Sequence, residues 1–267
     1  MNEQLPKERY DTIGIGYDSS RKADPYLTQR MFNFLRQPGT KRRYLDIGSG
    51  TGNYTSALHQ LGLDLIGVEP SDEMLSRARA KNPAIHWMKG YAEDIPIGNA
   101  SMDGVLACLT IHHWKDINQG FSEVSRVLKK EGTVVIFTTL PEQTRSYWLH
   151  HYFPQMMEES ADFMPAQGKI KAALEQAGLE IVQQEPYFVQ PNLEDRFLYS
   201  GKHQPERYFN PAFRQGISSF SLIAHQAEVD QGLAHLRVDI DSGKIAAVQQ
   251  AYENSLGDYL FIIAQKT

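Results

Sequence analysis

"YLDIGSGTGNY", residues 44–54, passes from a short apolar run into three glycines spaced two apart, Gly48, Gly50 and Gly52. Glycine lets the chain turn sharply after a strand and lets a ligand lie against the bare backbone. The helix-like run NYTSALHQL (53–61) follows at once. Amides at a helix start carry a partial positive charge and favour a carboxylate or phosphate. A glycine loop alone is a weak signal, so the neighbouring segments decide its reading.

Those segments alternate. RRYLDI (42–47) reads as a strand before the loop, and LDLIGVE (63–69) as a second strand. Ser71 is a good N-cap, followed by Asp72 and Glu73 where the helix dipole favours acids. Met74, Leu75 and Ala78 continue at helical spacing until Asn82-Pro83. AIHWM (84–88) is a third strand, and GVLACLTI (104–111), apolar almost throughout, suits a central strand covered on both faces. Phe121, Val124, Val127 and Leu128 line the next helix, with Lys129 and Lys130 expected in its last turn and Gly132 just beyond. TVVIFTTL (133–140) is again a strand, KIKAALEQAGLE (169–180) a helix ending at Gly178, and IVQQEPYFVQ (181–190) and DYLFIIAQKT (258–267) strands. This rhythm predicts a doubly wound, mostly parallel sheet with helices on both faces.

Two stretches break the rhythm. Residues 141–168 are rich in Tyr, Trp, His, Phe and Met, and residues 191–257 mix helical pieces with Gly and Pro. Insertions of this size usually sit over the strand ends, where ligands bind.

Composition narrows the function. Lys and Arg number 27 against 32 Asp and Glu, a net charge of −5, which argues against a nucleic-acid binder. The basic run Lys41-Arg42-Arg43 reads as a solvated entry to a strand. Cys108 is the single cysteine, so no internal disulfide and no cysteine metal cluster can form. The N-terminus lacks an apolar signal core, and no run approaches the ~20 apolar residues of a membrane helix. A cytoplasmic protein without membrane or nucleic-acid partners is expected.

Glu69 ends the second strand, the place from which a carboxylate accepts two hydrogen bonds from a ribose diol. The loop therefore expects a nucleoside-bearing ligand. Its glycines follow G-x-G-x-G, led by Asp46, rather than the dinucleotide pattern G-x-G-x-x-G. Together with IGVEPSDEML (66–75), GYAEDIPIGNASMDGVLACLTIHHW (90–114) and EVSRVLKKEGTVVI (123–136), the opening stretch resembles the class I S-adenosylmethionine (SAM)-dependent methyltransferases, in particular the type-11, ubiquinone-methylase-like group. The resemblance spans residues 44–137. It implies a Rossmann-like seven-stranded sheet with a helical lid insertion. Residues 1–40 would form an N-terminal helical cap over the cofactor, 41–190 and 258–267 the SAM-binding core, and 141–168 and 191–257 the lid.

The resemblance also implies roles. The backbone of Gly48, Ser49, Gly50 and Thr51, with Gly52 closing the turn, lies along the methionine part of SAM, and Asp46 orients that loop or the cofactor's amino group. Glu69 takes the ribose hydroxyls, Pro70 sits next to the adenine, and Ala92 gives the adenine a backbone amide. Many relatives carry Asp or Asn where this chain has Tyr91. Either Glu93 takes over the adenine amino group, or Tyr91 packs on the ring. Leu109 belongs to the same cofactor-binding set. In the segment that folds over the cofactor, Tyr17 stacks or hydrogen-bonds and Arg21 meets a carboxylate of cofactor or substrate; a surface helix is the alternative.

Methyl transfer needs alignment above all, and a general base only for some acceptors. His112 and His113, after the fourth strand, are the candidate bases, with packing around the cofactor as their other role. An Asn/Asp-Pro-Pro-Tyr-like motif of amino-methylases acting on nucleic acid is missing there. Arg145, Tyr147, Trp148, His150, His151, Tyr199, Ser200 and His203 are expected near the acceptor pocket or in the core beneath it. No H-x-x-x-H or His/Asp set stands out, so no metal is expected. The favoured reading is a small-molecule methyltransferase, monomeric or homodimeric. Its rivals are a non-catalytic SAM-binding protein, a nicotinamide-dependent dehydrogenase on the same sheet, and a protein or RNA methyltransferase.

Overall fold

The computed structural model describes residues 21–37, 39 and 41–267. Its strands are β1 (Arg43–Ile47), β2 (Asp64–Glu69), β3 (His86–Lys89), β4 (Met102–Cys108), β5 (Leu128–Thr138), β6 (Leu179–Tyr187) and β7 (Tyr259–Lys266). They form one seven-stranded sheet in the order β3-β2-β1-β4-β5-β7-β6. Strands β1 to β5 run parallel, and β7 is antiparallel to both β5 and β6. The expected doubly wound sheet is present.

Alternate residues of the central strands feed two separate cores, as a period of two requires. Leu106, Val135, Phe137, Phe261 and Ile263 point to one face; Val105, Ala107, Val134, Ile136 and Ile262 point to the other. Both faces are covered, which is why these strands read as nearly unbroken apolar runs. Helices Pro25–Leu35 and Asn53–Gln60 contribute Leu27, Met31, Leu35 and Leu58 to the first core. Helices Ile117–Val127 and Gln167–Gln176 contribute Phe121, Val124, Ile170 and Leu174 to the second. The helix Pro25–Leu35 thus covers the sheet, its start capped by Asp24 accepting from the Leu27 amide.

One helix ends earlier than its sequence suggests. It stops at Val127, and Leu128 already pairs with Met102 in β5. The left-handed residue is Glu131 (φ 62°), not Gly132. Lys129 lies in the strand and bonds the buried carboxylate of Asp103, which also accepts from Arg42 and from the Arg43 amide. Pairing with β4 inside the sheet and an ion pair override the helix-stop pattern.

The two irregular stretches are helical. The first holds Pro141–Arg145 and Pro154–Asp162; the second holds Pro211–Gln215, Gln226–Asp241 and Ile245–Ala251. An aromatic cluster binds them to the sheet: Tyr147 stacks on Tyr199 with centroids 4.0 Å apart, and Phe137, Phe197 and Tyr259 pack beneath. Among the described residues, no helix is long and apolar enough to cross a membrane.

Candidate cofactor and acceptor site

Strand order reverses between β1 and β4, and in open α/β sheets ligands bind in the crevice at such a switch point. The loops after β1 and β4 meet there. A Cβ on Gly48 (φ 72°) would lie 2.0 Å from Thr110 Oγ1, so only glycine lets the two loops close together. Gly52 is similarly filled by the Trp87 ring. Gly50 differs: at φ 55° its missing Cβ would face open space. The packed glycines shape the loop, and the open one leaves room beside it. The amides of Gly48 and Ser49 both donate to the Val68 carbonyl, tying the loop to β2. Thr51 is buried and its hydroxyl lies 3.2 Å from Lys81 Nζ.

Two carboxylates flank the loop. Asp46 is 3% exposed and accepts from Thr55 Oγ1 at 2.6 Å. Burial pushes its pKa up to about 7; the Thr55 hydroxyl opposes that shift and the charge of Glu69 adds to it. Glu69, also buried, accepts from the Gly50 amide (2.9 Å) and the Ser71 amide (3.0 Å). Its pKa is raised by burial against the pull of these two amides. Each carboxylate oxygen of Glu69 accepts one backbone amide and retains a further lone-pair direction. Such buried acids, costly to ionise alone, suit a cationic, hydroxyl-bearing ligand.

Beyond β3 the chain makes a tight turn in which Tyr91 bridges Asp94. Ala92 is buried, Pro70 exposed and Tyr91 half-buried. Glu93 accepts from the amides of Lys115 and Asp116, so its carboxylate staples this turn to the segment after β4.

At the end of β4, Leu109 takes a left-handed conformation (φ 50°), unusual for a side-chain-bearing residue, while its amide bonds Phe137. This kink starts the short 3₁₀ turn Ile111–His113. The imidazoles of His112 and His113 lie 3.9 Å apart. Burial, then the neighbouring His113, hold the His112 pKa well below its ordinary value, and its Nδ1 is buried without a hydrogen-bond partner. His113 is reached by solvent but sits in a concavity, and the protein walls lower its pKa to about 4. Both rings are neutral at physiological pH.

A pocket of about 100 Å³ opens beside them. Leu109, His112 and His113 form one wall, Thr139 and Tyr259 come from the ends of β5 and β7, and Phe197 and Met164 from the two insertions. Arg21 lines it as well. Its guanidinium forms a two-point ion pair with Asp195 (2.6 and 3.0 Å), a carboxylate 1% exposed that also accepts from Tyr54. Tyr17 lies outside the described residues.

Of the two places expected for these aromatic residues of the insertions, pocket or core, the structure puts them in the core. Tyr147, Trp148 and Tyr199 are buried in the core, and Arg145 and His150 turn outward to Glu158. Their rings weld the insertions to the sheet rather than line the pocket. Sequence reading also passed over Thr55, Thr110, Trp87 and Asp195. Nothing in the spacing marks them; each matters through a partner brought close by folding. His151, His235 and Asp239 come within 4.8 Å of one another, a grouping that the His235–Asp239 spacing of four could have flagged. Asp239 is already engaged by the Tyr152 hydroxyl and lies 3.8 Å from Lys244.

The fold and the loop define a nucleoside-cofactor protein of the doubly wound class. Residues 45–136 match the methyltransferase domain family. A crystal structure described as a methyltransferase from an antibiotic biosynthesis pathway of Anabaena variabilis superposes with a TM-score of 0.80 at 32% identity, covering 92% of this chain and 99% of that one. An uncharacterised methyltransferase of Mycobacterium tuberculosis is 39% identical over 107 residues, 40% of this chain. A demethylmenaquinone methyltransferase of Chlorobaculum tepidum is 35% identical over 95 residues, covering 35% of this chain and 39% of that protein. The match spans 44% of the length of the mycobacterial relative. The chain belongs to the SAM-dependent methyltransferase family.

Proposed function

We propose that this protein transfers the methyl group of SAM to a small-molecule acceptor held in the pocket beside His112 and His113. The observation that supports the substrate class is the size and place of that pocket, a cleft of about 100 Å³ between the strand ends and the two insertions. A cleft of that size, lined by both insertions, fits a small acceptor better than a bulky scaffold.

When bound, SAM supplies an electrophilic sulfonium methyl for in-line displacement. Gly48–Thr51, with the open space at Gly50, would hold its methionine part, Asp46 its ammonium and Glu69 its ribose hydroxyls, and Pro70, Tyr91, Ala92, Glu93 and Leu109 would surround the adenine and the strand end. Two low-pKa imidazoles make weak proton acceptors, so His112 and His113 serve to orient the acceptor as neutral hydrogen-bonding groups. Their part is alignment, and the acceptor brings an atom that is already nucleophilic or easily deprotonated. Arg21, fixed by Asp195, presents its charge at the pocket wall. In this reading residues 41–190 and 258–267 form the cofactor core and the two insertions the lid, the chain acts as a monomer or homodimer, and the lone thiol of Cys108 fits a reducing cytoplasm.

Methyl-labelled SAM incubated with fractionated cell extract tests this. Label should enter the small-molecule fraction with the wild type and not with Glu69→Ala. Label in protein or RNA would replace the substrate class. Binding of S-adenosylhomocysteine without transfer to any fraction would favour a non-catalytic role.

A further inference from the structure

A second cavity, of about 350 Å³, adjoins the acceptor pocket. Residues 191–198 serve both: Leu193 and Glu194 line the cavity, Phe197 and Leu198 line the pocket, and Arg196 lines the two together. The consecutive residues Arg21 and Lys22 divide in the same way, Arg21 to the pocket and Lys22 to the cavity.

The cavity is cationic in a chain of net charge −5. Lys22, Arg196 and Arg207 line it against the single carboxylate of Glu194. Several cations elsewhere are ion-paired: Arg21 with Asp195, Arg42 with Asp103, Arg126 with Glu123, Lys202 with Asp258. Lys22, Arg196 and Arg207 form no ion pair among the described residues. Instead Arg196 and Arg207 share one support, their guanidinium carbons 5.8 and 5.5 Å from the centre of the Phe213 ring. A shared aromatic rest holds two like charges near each other and fixes their planes. Uncompensated like charges repel, and an anion between them removes the penalty.

Resting on the small-molecule reading above, we propose that this cavity anchors a phosphate-bearing end of the acceptor and leaves its reactive end beside His112 and His113. Two guanidinium forks and an ammonium match the several oxygens and double charge of a phosphate ester or diphosphate better than a single carboxylate. Asn192 and Gln204 add amide groups for the remaining oxygens.

Inorganic pyrophosphate titrated into the full chain at low salt, with and without S-adenosylhomocysteine, tests the site calorimetrically. Saturable one-to-one binding is expected, weakened at least tenfold in Arg207→Gln and in Lys22→Gln. Lys171→Gln, an exposed change elsewhere, should leave it unaltered, and S-adenosylhomocysteine affinity should stay within twofold in Arg207→Gln. No saturable binding in the wild type, no loss in Arg207→Gln and Lys22→Gln, or equal loss in Lys171→Gln would each overturn the proposal. Acetate binding as tightly as pyrophosphate would overturn the phosphate assignment. The cofactor reading is scored separately on the same samples. Pyrophosphate binding without S-adenosylhomocysteine binding removes the methyltransfer reading and keeps the anion site; the reverse removes the anion site alone.

Discussion

In the reading proposed above, the cofactor end and the acceptor end of the site are built from different materials. The cofactor end draws on residues 46–52, 69–71 and 91–93, and much of it is backbone: the Gly50 and Ser71 amides on Glu69, the Gly48 and Ser49 amides on Val68. The acceptor end is assembled from side chains as far apart as Arg21, His113, Met164, Phe197 and Tyr259. A backbone site depends on chain conformation and tolerates few residue types. A side-chain site can be re-lined while the sheet below stays the same, which is how one fold serves many acceptors.

If that contrast holds, the largest effect of a single methyl group falls where the two ends touch. Gly48→Ala should destabilise the protein by about 3 kcal/mol or more, because its Cβ meets the Thr110 side chain and its φ disfavours a side chain. Thermal denaturation measures this, and an unchanged midpoint would mean that the loops after β1 and β4 do not meet as described. Next in size is Asp195→Ala, which leaves Arg21 without its buried partner and should cost about 2–4 kcal/mol in a urea titration. S-adenosylhomocysteine affinity should change far less. An equal loss of cofactor affinity would erase the division between the ends.

A smaller, pH-dependent effect isolates Asp46. Its folded pKa of about 7 lies above the ordinary carboxylate value, so the folded chain holds this proton more tightly than the unfolded chain. Without cofactor, the Asp46 contribution therefore makes stability fall as pH rises from about 4 to 7. An ammonium beside Asp46 favours its ionised form, so cofactor binding releases the proton. Affinity for S-adenosylhomocysteine should strengthen as pH rises toward 7, by up to about tenfold per unit, and then level off. Titrations of the wild type and Asp46→Asn check this; the slope should be clearly shallower in the variant, leaving only what the raised Glu69 contributes. The smallest stability effect is expected for Gly50→Ala, about 1 kcal/mol from its φ alone, since its Cβ meets nothing. Its cofactor affinity should nevertheless drop at least tenfold. A variant that binds S-adenosylhomocysteine normally would move the cofactor away from this loop.

The sheet was legible in the sequence because period-two burial on two faces writes continuous apolar runs, as in residues 104–108 and 133–138. The glycine loop was legible because three left-handed residues within five positions strongly favour glycine, and a run of three is a pattern the sequence records. The helix end at Val127 was not, since Lys129 serves a strand and Asp103 rather than a helix terminus. For the lid aromatics the sequence left pocket and core both open for a related reason: a buried Tyr147 in a lid core and a pocket-lining Tyr259 carry the same letter.

By itself the sequence determined the alternation of strands and helices, the G-x-G-x-G loop, and the acids Asp46 and Glu69 at two strand ends. These rest on local conformation and short-range spacing, which a linear pattern records. Only the tertiary structure decided that Gly48 closes on Thr110 while Gly50 stays open, that Asp195 claims Arg21, and that Lys22, Arg196 and Arg207 face one cavity. Those arrangements depend on which distant side chains the packed core brings together, and burial and pairing set their charge and reach only after the chain has closed on itself.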